Sequence, residues 1–171
     1  MIRYFLFYLF VVIVTTGCKQ DKTVEKHPVQ IKKYRRGEIL NKTSTDLTIR
    51  INKPYISLAF GLEKTEFGET IIDPFVEINT TDKSKINFQG MTIYLIDEKK
   101  FQIKNIDYNV KKYYYNVPDI SDDEAYVYIV NQRLICVSSN LLSTFTMYKY
   151  DNLNFVELLI NDKSGFFDRH K

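Results

Sequence analysis

From Thr45 onward, apolar and polar residues alternate along this chain with the period of a β-strand. Asp46-Leu47-Thr48-Ile49-Arg50-Ile51-Asn52 alternates without exception, which predicts a half-buried strand with Leu47, Ile49 and Ile51 facing a core. Pro54 breaks that run, and residues 55–61 read as a second strand. Residues 63–70 are polar, with a turn signal at Gly68. Residues 75–80 form another strand, and Thr81-Asp82-Lys83-Ser84 is a turn by composition. Two shifts of parity follow. Ile86 and Phe88 are even-numbered, whereas Met91, Ile93 and Leu95 are odd, with Gly90 between them as expected for a bulge. Phe101 and Ile103 give way to Ile106, Tyr108 and Val110 across Lys104-Asn105, which reads as a bulge or a tight turn. In the last third, strands over 125–130 and 133–138 flank a turn at Asn131-Gln132, and both faces of 126–137 are largely apolar, as in central strands. Strands over 143–150 and 154–160 flank Asp151-Asn152-Leu153. Residues 161–171 form a polar tail that Phe166 and Phe167 pin to the domain. No long amphipathic helix and no internal repeat is present. The pattern predicts an all-β domain, an antiparallel sandwich or a curved meander or barrel of about eight to ten strands, after a flexible N-terminal tether.

The first eighteen residues obey a different rule. MIRYFLFYLFVVIVTTGC opens on one positive charge, Arg3, continues through eleven unbroken apolar residues from Tyr4 to Val14, and ends on small residues before Cys18. A charged start, an apolar middle and a small-residue end make an export signal. The run falls short of the ~20 apolar residues that a membrane-spanning helix needs. This segment resembles the signal of bacterial lipoproteins, whose box of an aliphatic residue, two small residues and a cysteine is read here as Thr15-Thr16-Gly17-Cys18, with Val14 one step upstream. The resemblance covers these residues alone. It implies cleavage before Cys18, acylation of its thiol, and residence on a membrane of the bacterial cell envelope, with the outer membrane as the expected surface. Two or three acyl chains, at ~0.8 kcal/mol per buried CH₂, make such an anchor effectively permanent. The expected organisation is therefore a signal over 1–17, a lipidated cysteine and charged tether over 18–38, and one all-β domain over 39–171.

Composition narrows the function. Removing residues 1–17 leaves 154, enough for one domain with a core of its own. The whole chain has 24 Lys and Arg; without Arg3, 23 remain against 21 Asp and Glu. So near a balance leaves no broad positive field to capture nucleic acid. Residues 19–38, KQDKTVEKHPVQIKKYRRGE, are dense in charge, as a solvated tether would be, and the cluster Lys32-Lys33-Tyr34-Arg35-Arg36 suits an anionic surface. With Cys18 acylated, Cys136 has no intramolecular partner. It lies in the apolar run Leu134-Ile135-Cys136-Val137, where a thiol behaves as a small buried hydrophobe.

Catalytic chemistry is sparse. The two histidines, His27 and His170, fall in the tether and at the penultimate position, away from a rigid triad or metal cage. Pro118-Asp119-Ile120-Ser121-Asp122-Asp123-Glu124 places four carboxylates together. Asp119, Asp122, Asp123 and Glu124 are weak candidates for Ca²⁺, lacking the alternating ligands and glycine of an EF-hand loop. A carboxylate pair drawn from Glu66, Glu69, Asp73 and Glu77 is the only sequence route to a hydrolase. Tyrosine is the richer signal. Tyr113, Tyr114, Tyr115, Tyr126, Tyr128, Tyr148 and Tyr150 sit in strand-like runs and are the candidate binding surface, since a tyrosine offers flat apolar area with a polar tip; the alternative is that most of them fill the core or cover the sheet. The expectation is a non-enzymatic binding module without a cofactor, whose partner is another envelope or secreted protein; an immunity protein that blocks a toxin is one version. The alternative is glycan or small-ligand binding. Oligomeric state has no signature in the sequence.

Overall fold

The structure, a computed structural model, describes residues 23–36, 38–60, 62–65, 68–71, 75–116, 124–139, 144–150 and 155–167, with 62–65 and 68–71 described as backbone. The strands are β1 (Thr23–Arg35), β2 (Glu38–Asn52), β3 (Tyr55–Phe60), β4 (Leu62–Thr65), β5 (Gly68–Ile71), β6 (Val76–Asn79), β7 (Lys85–Phe88), β8 (Met91–Ile103), β9 (Ile106–Asn116), β10 (Glu124–Val130), β11 (Arg133–Ser139) and β12 (Thr144–Tyr150). Among the described residues one helix, α1 (Phe155–Asn161), follows. Ten strands close into a barrel in the order β1-β12-β11-β10-β9-β8-β7-β6-β3-β2, every pair antiparallel. β4 and β5 form a separate hairpin inserted between β3 and β6. The all-β expectation is met by its barrel version. Among the described residues no helix is long and apolar enough to cross a membrane.

Two expectations are corrected. The charged segment set down as a tether up to residue 38 is strand from Thr23 on: β1 runs between β2 and β12, and Val29, Ile31 and Tyr34 are buried. The alternation Val29-Gln30-Ile31 carries this strand, and the unbroken β1–β12 ladder sets Tyr34 opposite Phe145, ring on ring at 4.8 Å, while a register shift falls between Lys33 and Tyr34 in the β1–β2 ladder. Pro28 comes just before Val29, the first residue of β1 paired with β12, and among the described residues it pairs with β2 alone, an edge position where a missing N–H is tolerated. The second correction is residues 154–160, expected as a strand and found as α1. Once β1 occupies the free edge of β12, no ladder is left to satisfy another strand, and the segment bonds internally as a helix. Phe155 and Leu159, one turn apart, are buried, while Glu157 faces solvent.

The parity shifts have a simple cause. Gln89-Gly90, Lys104-Asn105 and Asn131-Gln132 are each two consecutive residues with positive φ (50° and 83°, 49° and 63°, 45° and 64°), which is the geometry of two-residue hairpin turns. The bulge expected at Gly90 is thus the β7–β8 turn. The irregular pairings fall elsewhere, between Leu95 and Asp97 and between Tyr128 and Ile129.

The core has two layers. Inside the barrel, Leu47, Leu58, Val76, Ile78, Phe88 and Val127 are buried, and the rings of Phe60 and Tyr148 meet at 4.8 Å although β2 and β1 lie between their strands. Outside, over β8–β12, Tyr128 packs against Phe166 and Phe167 (5.7 and 5.5 Å), Phe145 against Phe167 (5.6 Å), Phe101 against Phe166 (5.8 Å) and Tyr108 against Phe155 (5.2 Å). β10 and β11 are accordingly covered on both faces, as their composition implies. The end of the chain is latched by Asp162, which accepts bonds from Lys99 Nζ, from Ser164 Oγ (2.8 Å) and from the Phe167 N–H (3.4 Å).

Phe166→Ala is expected to destabilise the domain by about 3–5 kcal/mol, the range for emptying a buried aromatic site, in urea unfolding monitored by circular dichroism. A loosely held tail would lose almost nothing. Burial raises the Asp162 carboxyl, but the bonds from Lys99, Ser164 and Phe167 outweigh it and hold the group down at about 2, below its ordinary 3.8. The latch is therefore fully stabilising above pH ~4 and is lost as pH falls toward 2. Asp162→Asn is expected to flatten stability against pH in that window, read from urea midpoints at a series of pH values.

Candidate functional site

One end of the barrel is built as a cup. The β2–β3, β6–β7, β8–β9 and β10–β11 turns all lie at the end where β1 begins, because Thr23 pairs with Ile51 at the close of β2. The first two of these turns are tied together, since the Thr80 N–H and hydroxyl both donate to Pro54 O (2.8 and 2.9 Å). The β8–β9 hairpin extends beyond them. The last pair between β7 and β8 is Lys85 with Tyr94, and that between β10 and β9 is Val130 with Val110, so residues 97–109 project past the rim. One face of this projection, with Lys99, Phe101 and Tyr108, carries the C-terminal segment. The other carries Glu98, Asn109 and Lys111, of which Asn109 and Lys111 line the cup as its wall.

The cavity so enclosed has a volume of about 390 Å³, at the small end of ligand sites, which also favour barrel mouths. Its floor is Ile78, Ile129 and the ring of Tyr113; its rim is Asn79, Thr80, Lys83, Asn131 and Gln132. Tyr113 is buried and its hydroxyl donates to Lys83 O (3.0 Å). Burial, then the charges of Glu98 and Asp82, push its pKa up to about 12, so it stays a neutral phenol. On the same hairpin face, Glu98 accepts from Asn109 Nδ2 and faces Lys111 Nζ at 3.6 Å. Asn109 Oδ1 is buried and accepts from no protein group, an orphan of the kind that folded proteins rarely leave. Lys83 has no carboxylate within ion-pair distance among the described residues. Among the described residues two lysines and no carboxylate line the cavity, Glu98 and Asp82 acting on Tyr113 from outside the lining; with side-chain amides and an apolar floor, this suits a small polar molecule that carries negative charge.

The expected tyrosine surface is largely dismantled. Tyr113, Tyr115, Tyr128, Tyr148 and Tyr150 are buried: Tyr128 lies under Phe166 and Phe167, and the other four face the barrel interior. Tyr115 sits edge-on to Phe88 (5.3 Å), Tyr128 donates to Phe166 O (3.3 Å), and Tyr150 donates to Leu134 O (2.6 Å), with burial raising its pKa. Tyr114 and Tyr126 remain half-buried on the outside, ring to ring at 5.6 Å, with Lys112 Nζ 4.0 Å from the centre of the Tyr126 ring. The register places Tyr94, 62 % exposed, opposite Tyr114. The three make an outward row of tyrosines whose exposed member the sequence reading passed over.

Cys18, Glu66, Asp73, Asp119, Asp122, Asp123 and His170 lie outside the described residues. Glu124 begins β10 and takes a hydrogen bond from Tyr114. Glu77 accepts from Ser57 Oγ (3.5 Å) on β3. His27 is on β1, 3.1 Å from Glu25. Cys136 is fully buried and its thiol is pushed well up by that burial, the reverse of an activated nucleophile. Among the described residues no three His, Cys, Asp or Glu side chains gather as a metal set. Asn79, Lys83, Asn109, Lys111, Asn131 and Gln132, which make the cup, were visible in the sequence only as turn and strand residues. In comparison with known proteins, the chain matches no family model, no curated protein and no solved structure.

Proposed function

We propose that this chain is a lipid-anchored, non-catalytic binding protein of the bacterial envelope that takes a small, polar, negatively charged ligand in the mouth of its barrel. The observation that carries this reading is the cup. Its cavity is floored by Ile78, Ile129 and Tyr113 and flanked by Lys83 and Lys111. Burial of the tyrosines turns the choice from a broad protein-binding face toward a small ligand. The buried Cys136 thiol and the engagement of Glu98 by Asn109 and Lys111 supply no poised nucleophile or base at this end. The anchor is supported by the signal-like residues 1–17 and by Cys18. A second reading, docking of an envelope or secreted protein such as a toxin, has the outward row Tyr94, Tyr114 and Tyr126 in its favour.

Titration calorimetry with sugar acids, small dicarboxylates and sugar phosphates tests the first reading. At least one class is expected to bind, and Lys83→Met together with Lys111→Met is expected to weaken it tenfold or more, about 1.4 kcal/mol. If no member binds, the ligand reading fails; if Tyr94→Ser and Tyr114→Ser abolish capture of a stoichiometric protein partner, the second replaces it. Labelled fatty acid fed to cells is expected to enter the wild type and not Cys18→Ala, and equal labelling of both would remove the anchor.

A further inference from the structure

The cup shares its end of the barrel with the start of β1, and this end is built like a membrane-contacting surface. Its turns carry exposed lysines: Lys53 between β2 and β3, Lys83 between β6 and β7, and Lys104 between β8 and β9, none with a carboxylate in ion-pair range among the described residues. Beside them stand large apolar side chains that the fold leaves in water: Val24, Tyr55 and Ile106 are 58, 44 and 56 % exposed. Apolar tips interleaved with lysine are the chemistry of a surface that rests on anionic headgroups, where the ammonium groups meet phosphate and the tips enter the acyl boundary. Chain length points the same way. Five peptide steps separate Cys18 from Thr23, a reach of at most about 18 Å.

We infer that the barrel docks mouth-down on an anionic phospholipid surface, through Lys53, Lys83 and Lys104 with Val24, Tyr55 and Ile106, while Cys18 holds it there. This rests on the anchor reading above and deepens the ligand reading. In this pose the cup opens at headgroup level, so the ligand it takes is one presented at the membrane surface.

The test uses the full, acylated chain reconstituted into vesicles of phosphatidylcholine alone or of phosphatidylcholine and phosphatidylglycerol in equal parts. A spin label is placed by Ile106→Cys, by Tyr55→Cys, or by Gln89→Cys in the turn at the opposite end, Cys136 being buried. Flotation reports anchoring, and collision with a water-soluble nickel chelate reports which end is covered. On phosphatidylglycerol vesicles the labels at 106 and 55 are expected to lose nickel accessibility while that at 89 keeps it. Lys53→Glu with Lys104→Glu is expected to restore access at 55 and 106 without releasing the protein. Equal access at both ends of floated protein overturns the docking and leaves the anchor standing. Protection that is identical on phosphatidylcholine, or that survives the two charge reversals, overturns the anionic surface as the partner. A chain that does not float overturns the anchor and the docking together.

Discussion

The pairing of β1 with β12 is the constraint on which the rest of this structure depends. Seven residue pairs, from Val29 with Tyr150 to Arg35 with Thr144, turn a long meander into a closed barrel. An antiparallel sheet that stays open presents two rows of unpaired backbone groups, and closure removes both at once. It also decides what the neighbouring segments become. With its edge taken, β12 cannot accept Phe155–Asn161 as a further strand, and that apolar segment closes its own hydrogen bonds as α1 and lies against the outside. The aromatic layer of Tyr108, Tyr128, Phe145, Phe155, Phe166 and Phe167 follows from that choice.

The two layers divide the labour between stability and function. Where Phe155, Phe166 and Phe167 lie against β8–β12 the sheet is covered on both faces, and most of the residues expected as a binding surface serve as core. Phe60 and Tyr148 meet inside, and Tyr128 and Phe166 meet outside. Such a body is rigid where it is doubly covered. At the end where β1 begins, the β8–β9 hairpin outruns its neighbours, and its two faces divide. The apolar face takes the C-terminal segment, and the polar face walls a cavity. The cup is a by-product of unequal strand lengths, with Asn109 and Lys111 brought over the floor by the register of one hairpin.

Much of this was legible along the chain. The alternation in Asp46–Asn52 places Leu47 and Ile49 inside, the parity changes mark real turns, and the two apolar faces of residues 126–137 mark central strands. Other features were hidden for physical reasons. β1 is masked by charge, because Lys32, Lys33, Arg35 and Arg36 outnumber the buried Val29, Ile31 and Tyr34, and the buried positions change parity between Ile31 and Tyr34. The helix was hidden because a short apolar run with one polar residue reads equally well as strand or helix. The cup residues were hidden because asparagine, glutamine, lysine and threonine in turns are what any solvated loop contains.

What the amino-acid sequence determined by itself is local: the period-two pattern that makes strands, the turn positions, the buried Cys136, and the signal-like run before Cys18. These depend on neighbours within a few residues, and neighbours are what a sequence displays. Only the tertiary structure decided that the sheet closes, which face of Tyr113, Tyr115 and Tyr128 becomes interior, that Phe155–Asn161 is helical, and that Lys83 and Lys111 stand over one floor. Each of those outcomes turns on which edge is still unpaired and which face is still uncovered when distant segments meet, and no stretch of chain carries that information alone.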